Sequence, residues 1–577
     1  MATPLDVLDV LVGLNHAQRE AACLTRGPVV ILAGAGTGKT TTITHRIAHQ
    51  VASGAFAPER ILAVTFTTKA ASELRERLAA LGVGGVDART FHSAALAQLQ
   101  WLWSRYTGEP LPEVLDHKAP VIGPLARSLP MPYRFVPRRE LAGEIEWAKN
   151  RRIEPGRYID ALDDHTPPIP ADLMHRVYEG YERRKRAAGR LDFEDMLALA
   201  VRLLVDHPDA AHQLRQRFHA FTVDEFQDVN PLQAALLDGW LGDRDDVCVV
   251  GDEYQTIYSF TGASPGYLTG FGRRFPGARV VRLTDNYRST PQVLTLANAL
   301  ARRLDPEAPR ELRATREGGG QPAAQAFSTE GAETAAITDA VRQLHHDAGV
   351  PLEQIAVIYR INARSEAFEE AFAAAAIAYQ VRDGAFLARP GPRAAVAALR
   401  RLGGEPVMPA VSSVAHRLGY TPGVIPDAAD EVTRQADLAR LLALADGYAG
   451  AHPGADARGF VDELEDRFSV ERDGRGVNLL TYHRAKGLEF DAVFLPRLVD
   501  GELPFRAGRS KADPDEERRL LYVGLTRARH HLFLTWSREG RTTPSPFLAE
   551  MGLATERLKR PARKRPLTRG TATARVR

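Results

Sequence analysis

The feature that most constrains this chain is Ala33-Gly34-Ala35-Gly36-Thr37-Gly38-Lys39-Thr40, placed directly after the apolar run Val29–Leu32. A buried strand, a glycine-rich loop and a helix entrance in that order form the local geometry in which backbone N–H groups wrap a phosphate. Gly34, Gly36 and Gly38 let the backbone close on phosphate oxygens, Lys39 reaches the β- and γ-phosphates, and Thr40 offers its hydroxyl to Mg2+. Ala33 stands where the phosphate-loop pattern has its first glycine. An ordinary glycine-rich turn has no need of Lys-Thr at the helix entrance, so the loop predicts nucleoside triphosphate binding.

Other β-branched runs recur at Ile61–Phe66, Phe221–Val223, Val247–Val250, Val280–Leu283, Ile355–Tyr359, Ala492–Leu495 and His531–Trp536. Helix-length segments such as Lys69–Leu81 lie between several of them, which predicts an α/β fold of parallel sheets covered by helices. Two stretches break the rhythm. Residues 94–190 read as a helical insertion with basic clusters at Arg151-Arg152 and Arg183-Arg184-Lys185-Arg186, and residues 403–476 as a shorter region with one clear helix around Ala436–Tyr448.

The 577 residues are 44% hydrophobic and 25% charged, which suits several packed domains. The formal charge is +3, yet Arg557 to Arg577 holds nine basic residues and no acid, so the first 556 residues stand at −6. The tail reads as a solvated, disordered end or as an electrostatic grip on nucleic-acid phosphate. Two distant cysteines, Cys23 and Cys248, exclude a disulfide framework and a Cys-rich zinc site. Met1–Val12 carries Asp6 and Asp9 rather than a basic leader, and no apolar run approaches the ~18 residues of a membrane span. The expectation is a cytoplasmic protein.

A phosphate loop that hydrolyses its ligand needs acids at the end of a neighbouring strand. Asp224-Glu225, after Phe221–Val223, supplies them: Asp224 to hold the Mg2+ shell and Glu225 to orient or deprotonate the attacking water. Alone, two such acids are as often a solvated turn; beside Lys39 they read as a hydrolytic pair.

Further segments narrow the reading. In order they are Leu14-Asn15-His16-Ala17-Gln18, Thr65-Phe66-Thr67-Thr68-Lys69, Thr90-Phe91-His92, Asp224-Glu225-Phe226-Gln227-Asp228, and Gly251-Asp252-Glu253-Tyr254-Gln255 through Tyr258. Asn286-Tyr287-Arg288-Ser289-Thr290, Thr481 through Phe490, and Tyr522-Val523-Gly524-Leu525-Thr526-Arg527-Ala528-Arg529 follow. From about Leu14 to Phe547 this ordered set resembles the UvrD/Rep/PcrA family of superfamily 1A DNA helicases, in a branch with a shortened second accessory insertion.

The resemblance implies two RecA-like motor domains with ATP and Mg2+ between them. The first would comprise 1–93 and 191–279, interrupted by a helical accessory domain at 94–190. The second would comprise 280–402 and 477–552, interrupted by a reduced insertion at 403–476, with 553–577 as the basic tail. Gln18 and Tyr287 would contact adenine, Glu489 the ribose, and Arg288 and Arg527 the γ-phosphate. Gln255 would sense the γ-phosphate and pass its state to the DNA track. Thr41 replaces the Arg that relatives often place after the loop.

The implied partner is single-stranded DNA and its junctions with duplex, handled by a monomer or weakly self-associating motor on the nucleoid. Phe66, Phe193, Tyr258 and Phe260 would offer stacking faces, with His92 and Arg360 as polar contacts. Phe260 stands where the family commonly has Trp, and Thr261 where an Arg commonly follows. The implied activity is ATP-dependent 3′-to-5′ unwinding in DNA repair or replication maintenance. The short second insertion leaves open a translocase that displaces proteins and unwinds duplex weakly.

Overall fold

The β-branched runs assemble into two separate parallel sheets in the computed structural model. The structure describes residues 9–553 except 132, 137, 164, 259–261, 383–384, 424–428, 469–474, 508–509 and 541. The first sheet contains β1 (Val29–Ala33), β2 (Ile61–Thr65), β3 (Asp87–Thr90), β4 (Ala220–Val223), β5 (Val247–Gly251) and β6 (Arg279–Leu283), in spatial order β3-β2-β4-β5-β1-β6. The second contains β7 (Ala323–Phe327), β8 (Ile355–Tyr359), β9 (Tyr379–Val381), β10 (Val477–Thr481), β11 (Phe490–Leu495) and β12 (Ala528–Ser537), in order β7-β12-β11-β8-β10-β9. Every long-strand pair is parallel. Parallel strands covered on both faces need continuous apolar sequence, and β2, β5 and β8 are buried at every position.

The α/β expectation holds, and each of the anticipated runs is a strand. Four further strands of these two sheets went unread. Asp87–Thr90 and Ala323–Phe327 are edge strands that carry charge or alanine rather than branched residues, and Tyr379–Val381 is only three residues long. Val477–Thr481 contains the buried polar Asn478, whose amide donates to the carbonyls of Glu353 and Ile355 at 3.0 and 3.2 Å.

Two helical units carry their own apolar cores. One links Ile122, Leu141, Ile145, Trp147, Val177 and Tyr181. The helix before it, Phe91–Thr107, packs instead into the first sheet's core, where Phe91 stacks on Trp240. The other unit links Phe386, Leu399, Val411, Leu438, Leu441, Phe460 and Phe468. The helix read around Ala436–Tyr448 extends over Ala429–Ala451, and Val407–Arg417 and Ala457–Arg467 are helices as well. Alanine-rich faces bury little area per residue and so leave a weak periodic signal. This core reaches back across Gly403 to the helix Pro390–Leu402 and to Phe386.

Candidate active site

Parallel strands end together, so the loops after β1, β2, β4 and β5 share one edge of the first sheet. The register Val64↔Val223, Val223↔Val249 and Leu32↔Gly251 brings the phosphate loop, Asp224 and Asp252 side by side. The second sheet contributes through the opposite strand ends. Phe490 and Ala528, the first residues of β11 and β12, pair directly, and the Phe490 N–H donates to the Arg527 carbonyl at 2.9 Å. Glu489 and Arg527, each one residue before its strand, are therefore neighbours.

The phosphate loop has the shape its glycines allow. Gly36 and Gly38 have φ of +69° and +79°, and Gly38 forms the N-cap of the helix Lys39–Ala52. A Cβ on Gly36 would lie 2.7 Å from the Asn286 and Arg288 side chains, and one on Gly38 would lie 2.6 Å from Gln18. The loop is thus pressed between Gln18 and the Asn-Tyr-Arg segment. Asn286 donates to the Ala35 carbonyl at 2.6 Å, and the Tyr287 N–H donates to the Gly36 carbonyl at 2.9 Å. Thr37 is buried, and its hydroxyl donates to the Gly34 carbonyl at 2.8 Å.

Lys39 donates to Glu225 at 2.8 Å. Glu225 sits in the left-handed region at φ +51°, an uncommon conformation for a residue with a side chain. Its carboxylate also accepts from Gln227. Burial and the adjoining Glu225 carboxylate push Asp224 up to about 6. Burial also acts to raise Glu225, but Lys39 and Lys486 outweigh it and hold the group at about 2. Burial alone would lower Lys39, whereas Glu225, Asp224 and Asp252 raise it. Lys39 and Lys486 thus hold the Glu225 carboxylate ionised beside the phosphate loop.

Gln18, Gly36, Gly38, Thr41, Tyr287, Arg288 and Glu489 line one open cavity of about 430 Å3, together with Gly13, Arg316 and Arg529. The glycine cradle, the lysine and the two acids fit a Mg2+-nucleoside triphosphate. Gln18 is held at both ends of its amide, donating to the Thr37 carbonyl at 3.0 Å and accepting from the Asn15 N–H at 3.2 Å. Tyr287 is 41% exposed, and its hydroxyl accepts from Asn15 at 2.8 Å, which leaves the ring face available to a base. Arg288 donates to Glu489 at 2.6 Å, and Glu489 is also held by Arg529. Arg527 is buried and donates to Gln255 at 3.0 Å. Burial, reinforced by Arg288, lowers Arg527 to about 9.

The expected DNA residues occupy different settings. Phe193 opens its helix Phe193–Asp206, capped by Asp192, and is 44% exposed with its ring edge-on to His92 at 5.8 Å. Burial, with Lys118 nearby, lowers His92 to about 4, so its ring is neutral at pH 7. Phe66 is half-buried, edge-on to Phe91 at 6.0 Å. Tyr258 donates to the His483 carbonyl at 3.2 Å, and the Lys486 ammonium lies 5.1 Å from its ring centre. Arg360 lies at the far end of β8 from Arg527, with its Nε and Nη2 donating to Glu517 at 2.8–3.1 Å and Phe505 beneath at 5.0 Å. Phe260 and Thr261 lie outside the described residues, as does the basic tail.

Two family models cover this chain. The UvrD/REP helicase N-terminal domain matches residues 14–276, and the UvrD-like helicase C-terminal domain matches 281–403 and 435–539. The chain is 44% identical over 571 residues to the ATP-dependent DNA helicase UvrD2 of Mycobacterium tuberculosis, covering 93% of this chain and 81% of that one. It belongs to the UvrD/Rep helicase family. The ATP-dependent DNA helicase PcrA of Bacillus subtilis is 29% identical over 640 residues, 94% of this chain and 86% of its own. The two parallel sheets are the RecA-like pair of this family.

Within this UvrD-family cleft the sequence reading passed over several residues. Asn286 pins the phosphate loop, Lys486 donates to Asp228 and to the Gln255 carbonyl at 2.7 Å, and Arg316 and Arg529 line the cavity. Asn286 and Lys486 stand inside segments already singled out, so their position was a usable signal. Arg316 had none, because only the return of its loop toward His530 brings it near the nucleotide cavity. Among the described residues, Glu182, Asp192 and Asp195 form an acidic cluster, but Lys149 and Lys185 fill it with ammonium groups at 2.5–3.0 Å from carboxylates. The two lysines offset most of the cluster's charge and occupy the carboxylate oxygens that a metal would need.

Proposed function

We propose that this ATP-dependent DNA helicase couples ATP hydrolysis to 3′-to-5′ movement on single-stranded DNA, opening duplex at junctions during DNA repair or replication maintenance on the nucleoid. The observation that carries the reading is the convergence of both sheets on one cavity: Gln18, Gly36, Gly38 and Thr41 around the phosphate loop of the first, Glu489 and Arg529 at the strand starts of the second, and Tyr287 and Arg288 on the segment between them. A ligand held by both halves changes its contacts whenever they move apart, which converts hydrolysis into domain motion. Among the described residues no helix is long and apolar enough to cross a membrane.

Lys39 and the loop amides bind the β- and γ-phosphates, Gln18 and Tyr287 hold the base, and Glu489 holds the ribose. Thr40 and Asp224 would hold Mg2+, which supplies charge neutralisation across the phosphates. Glu225 takes the proton of the attacking water, and Arg288 and Arg527 neutralise charge that develops on the transferred phosphoryl group. Phe66, Phe193 and Tyr258 provide stacking faces that tolerate any base sequence.

The test is ATP-driven unwinding on 3′-tailed, 5′-tailed and blunt duplexes, with phosphate release followed with and without single-stranded DNA. The proposal expects DNA-stimulated hydrolysis and unwinding from the 3′ tail alone; preference for the 5′ tail would overturn the polarity. The small second helical unit, packed on a core from Phe386 to Phe468, favours a second reading as a translocase with weak unwinding. Streptavidin displacement from a 3′-tailed strand, retained where duplex opening is lost, would select it.

A further inference from the structure

Gln255 and Arg527 belong to recognised segments, but what aims the Gln255 amide lies outside all of them. Arg310 follows the helix Pro291–Leu304 and is 4% exposed. Its guanidinium donates to Asp252 and, at 3.0 Å, to Glu253, and lies 5.1 Å from the Tyr254 ring centre. Its backbone N–H donates to the Tyr254 hydroxyl at 3.0 Å. Arg310 is therefore fixed on the Asp252–Tyr254 turn by both side chain and main chain.

Asp252 is fully buried. One carboxylate oxygen takes Arg310, and the other accepts from the Gln255 amide nitrogen at 2.6 Å. An ionised carboxylate only accepts, so the amide must turn its NH2 toward Asp252 and its carbonyl toward Arg527. That carbonyl accepts from Arg527 at 3.0 Å. The other Arg527 acceptors are the carbonyls of Val523 and Leu488 and the Thr526 hydroxyl. All four are neutral, and Gln255 alone comes from the first-sheet half.

We propose that Arg310 is a positioning residue for ATP hydrolysis: by pairing with Asp252 it sets the direction of the Gln255 amide, and through it the place of Arg527. A carboxylate buried without its partner charge is strongly disfavoured. Without Arg310 the Asp252 carboxylate loses the charge that fixes it on the turn, and the Gln255 amide loses the acceptor that keeps its NH2 away from Arg527 and its carbonyl toward it. The relay rests on the reading of Gln255 and Arg527 as γ-phosphate groups.

The experiment is a double-mutant cycle on the full chain, with Arg310→Met, Gln255→Ala and the pair, reading kcat and the ATP KM at saturating oligo-dT beside thermal transitions. Arg310→Met is expected to lower DNA-stimulated kcat by about 10-fold or more with KM within about 2-fold, and the pair to be no slower than Gln255→Ala. Arg310→Lys, which keeps the charge, is expected to stay within about 3-fold of the parent. Losses that multiply in the pair, or a folded Lys variant as slow as the Met variant, would overturn the relay. Should Arg310→Met not fold, the cycle is run with Arg310→Gln, which removes the charge and keeps a polar side chain, and multiplied losses overturn the relay in the same way. If Gln255→Ala leaves kcat intact, the γ-phosphate reading fails and the relay with it; if Gln255→Ala is slow and Arg310→Met is not, the relay alone fails.

Discussion

The Lys39 ammonium lies 2.8 Å from the Glu225 carboxylate, so the phosphate-loop cation and the acid assigned to water share one ion pair. Phosphate and Glu225 thus compete for the same lysine. Glu225→Gln removes both the competing charge and the base. ATP should bind at least as tightly as to the parent, while kcat falls by about 10²- to 10⁴-fold. Equilibrium nucleotide binding and single-turnover hydrolysis measure the two effects separately; weakened binding with unchanged kcat would contradict the assignment.

Gln255 joins the Asp252 turn to Arg527 and lies three residues before Tyr258. Gln255→Ala should therefore uncouple hydrolysis from DNA. The ratio of phosphate release with and without oligo-dT should collapse toward unity, and an unaltered ratio would remove Gln255 from the coupling path.

Phe193 is an exposed aromatic braced by the neutral His92 ring. Base stacking on such a platform is worth about 1–3 kcal/mol, or roughly 5- to 150-fold in affinity. Phe193→Ala should weaken oligo-dT binding by an amount in that range, measured by fluorescence anisotropy, and Phe193→Tyr should restore most of it.

Asp437 and Glu369 share the buried Arg389, at 2.9 and 3.4 Å. Burial, with Glu366 and Glu369 adding to it against the pull of Arg389, pushes Asp437 up to about 7. The folded chain holds this proton more tightly than the unfolded chain, whose Asp titrates near ~3.9. The contribution is therefore complete below about pH 4 and is lost as pH rises through about 7. Melting curves between pH 5.5 and pH 8.5 should show Asp437→Asn gaining stability relative to the parent as pH increases; a constant difference would assign no titration to Asp437.

How much was legible follows from how local each signal is. The phosphate loop needs only a strand, three glycines and Lys-Thr, and it folds as those residues require. Asp224 and Glu225 follow directly on a strand run and were equally plain. The helices of the second unit were under-read because their alanine-rich faces give little contrast between buried and solvated sides. Arg360 was expected at the DNA track only through the family resemblance, and its pairing with Glu517 depends on a helix that begins more than 150 residues later.

The sequence by itself determined the chemistry: which residues can cradle phosphate, supply acids and offer stacking faces, because each depends on residue type and short spacing. Tertiary structure decided the partnerships. Only the pairing of Phe490 with Ala528 places Glu489 beside Arg527, and only the return of the chain after Leu304 delivers Arg310 to Asp252. Strand register and chain return are set by packing summed over whole cores, and such sums leave no mark at the individual residues they bring together.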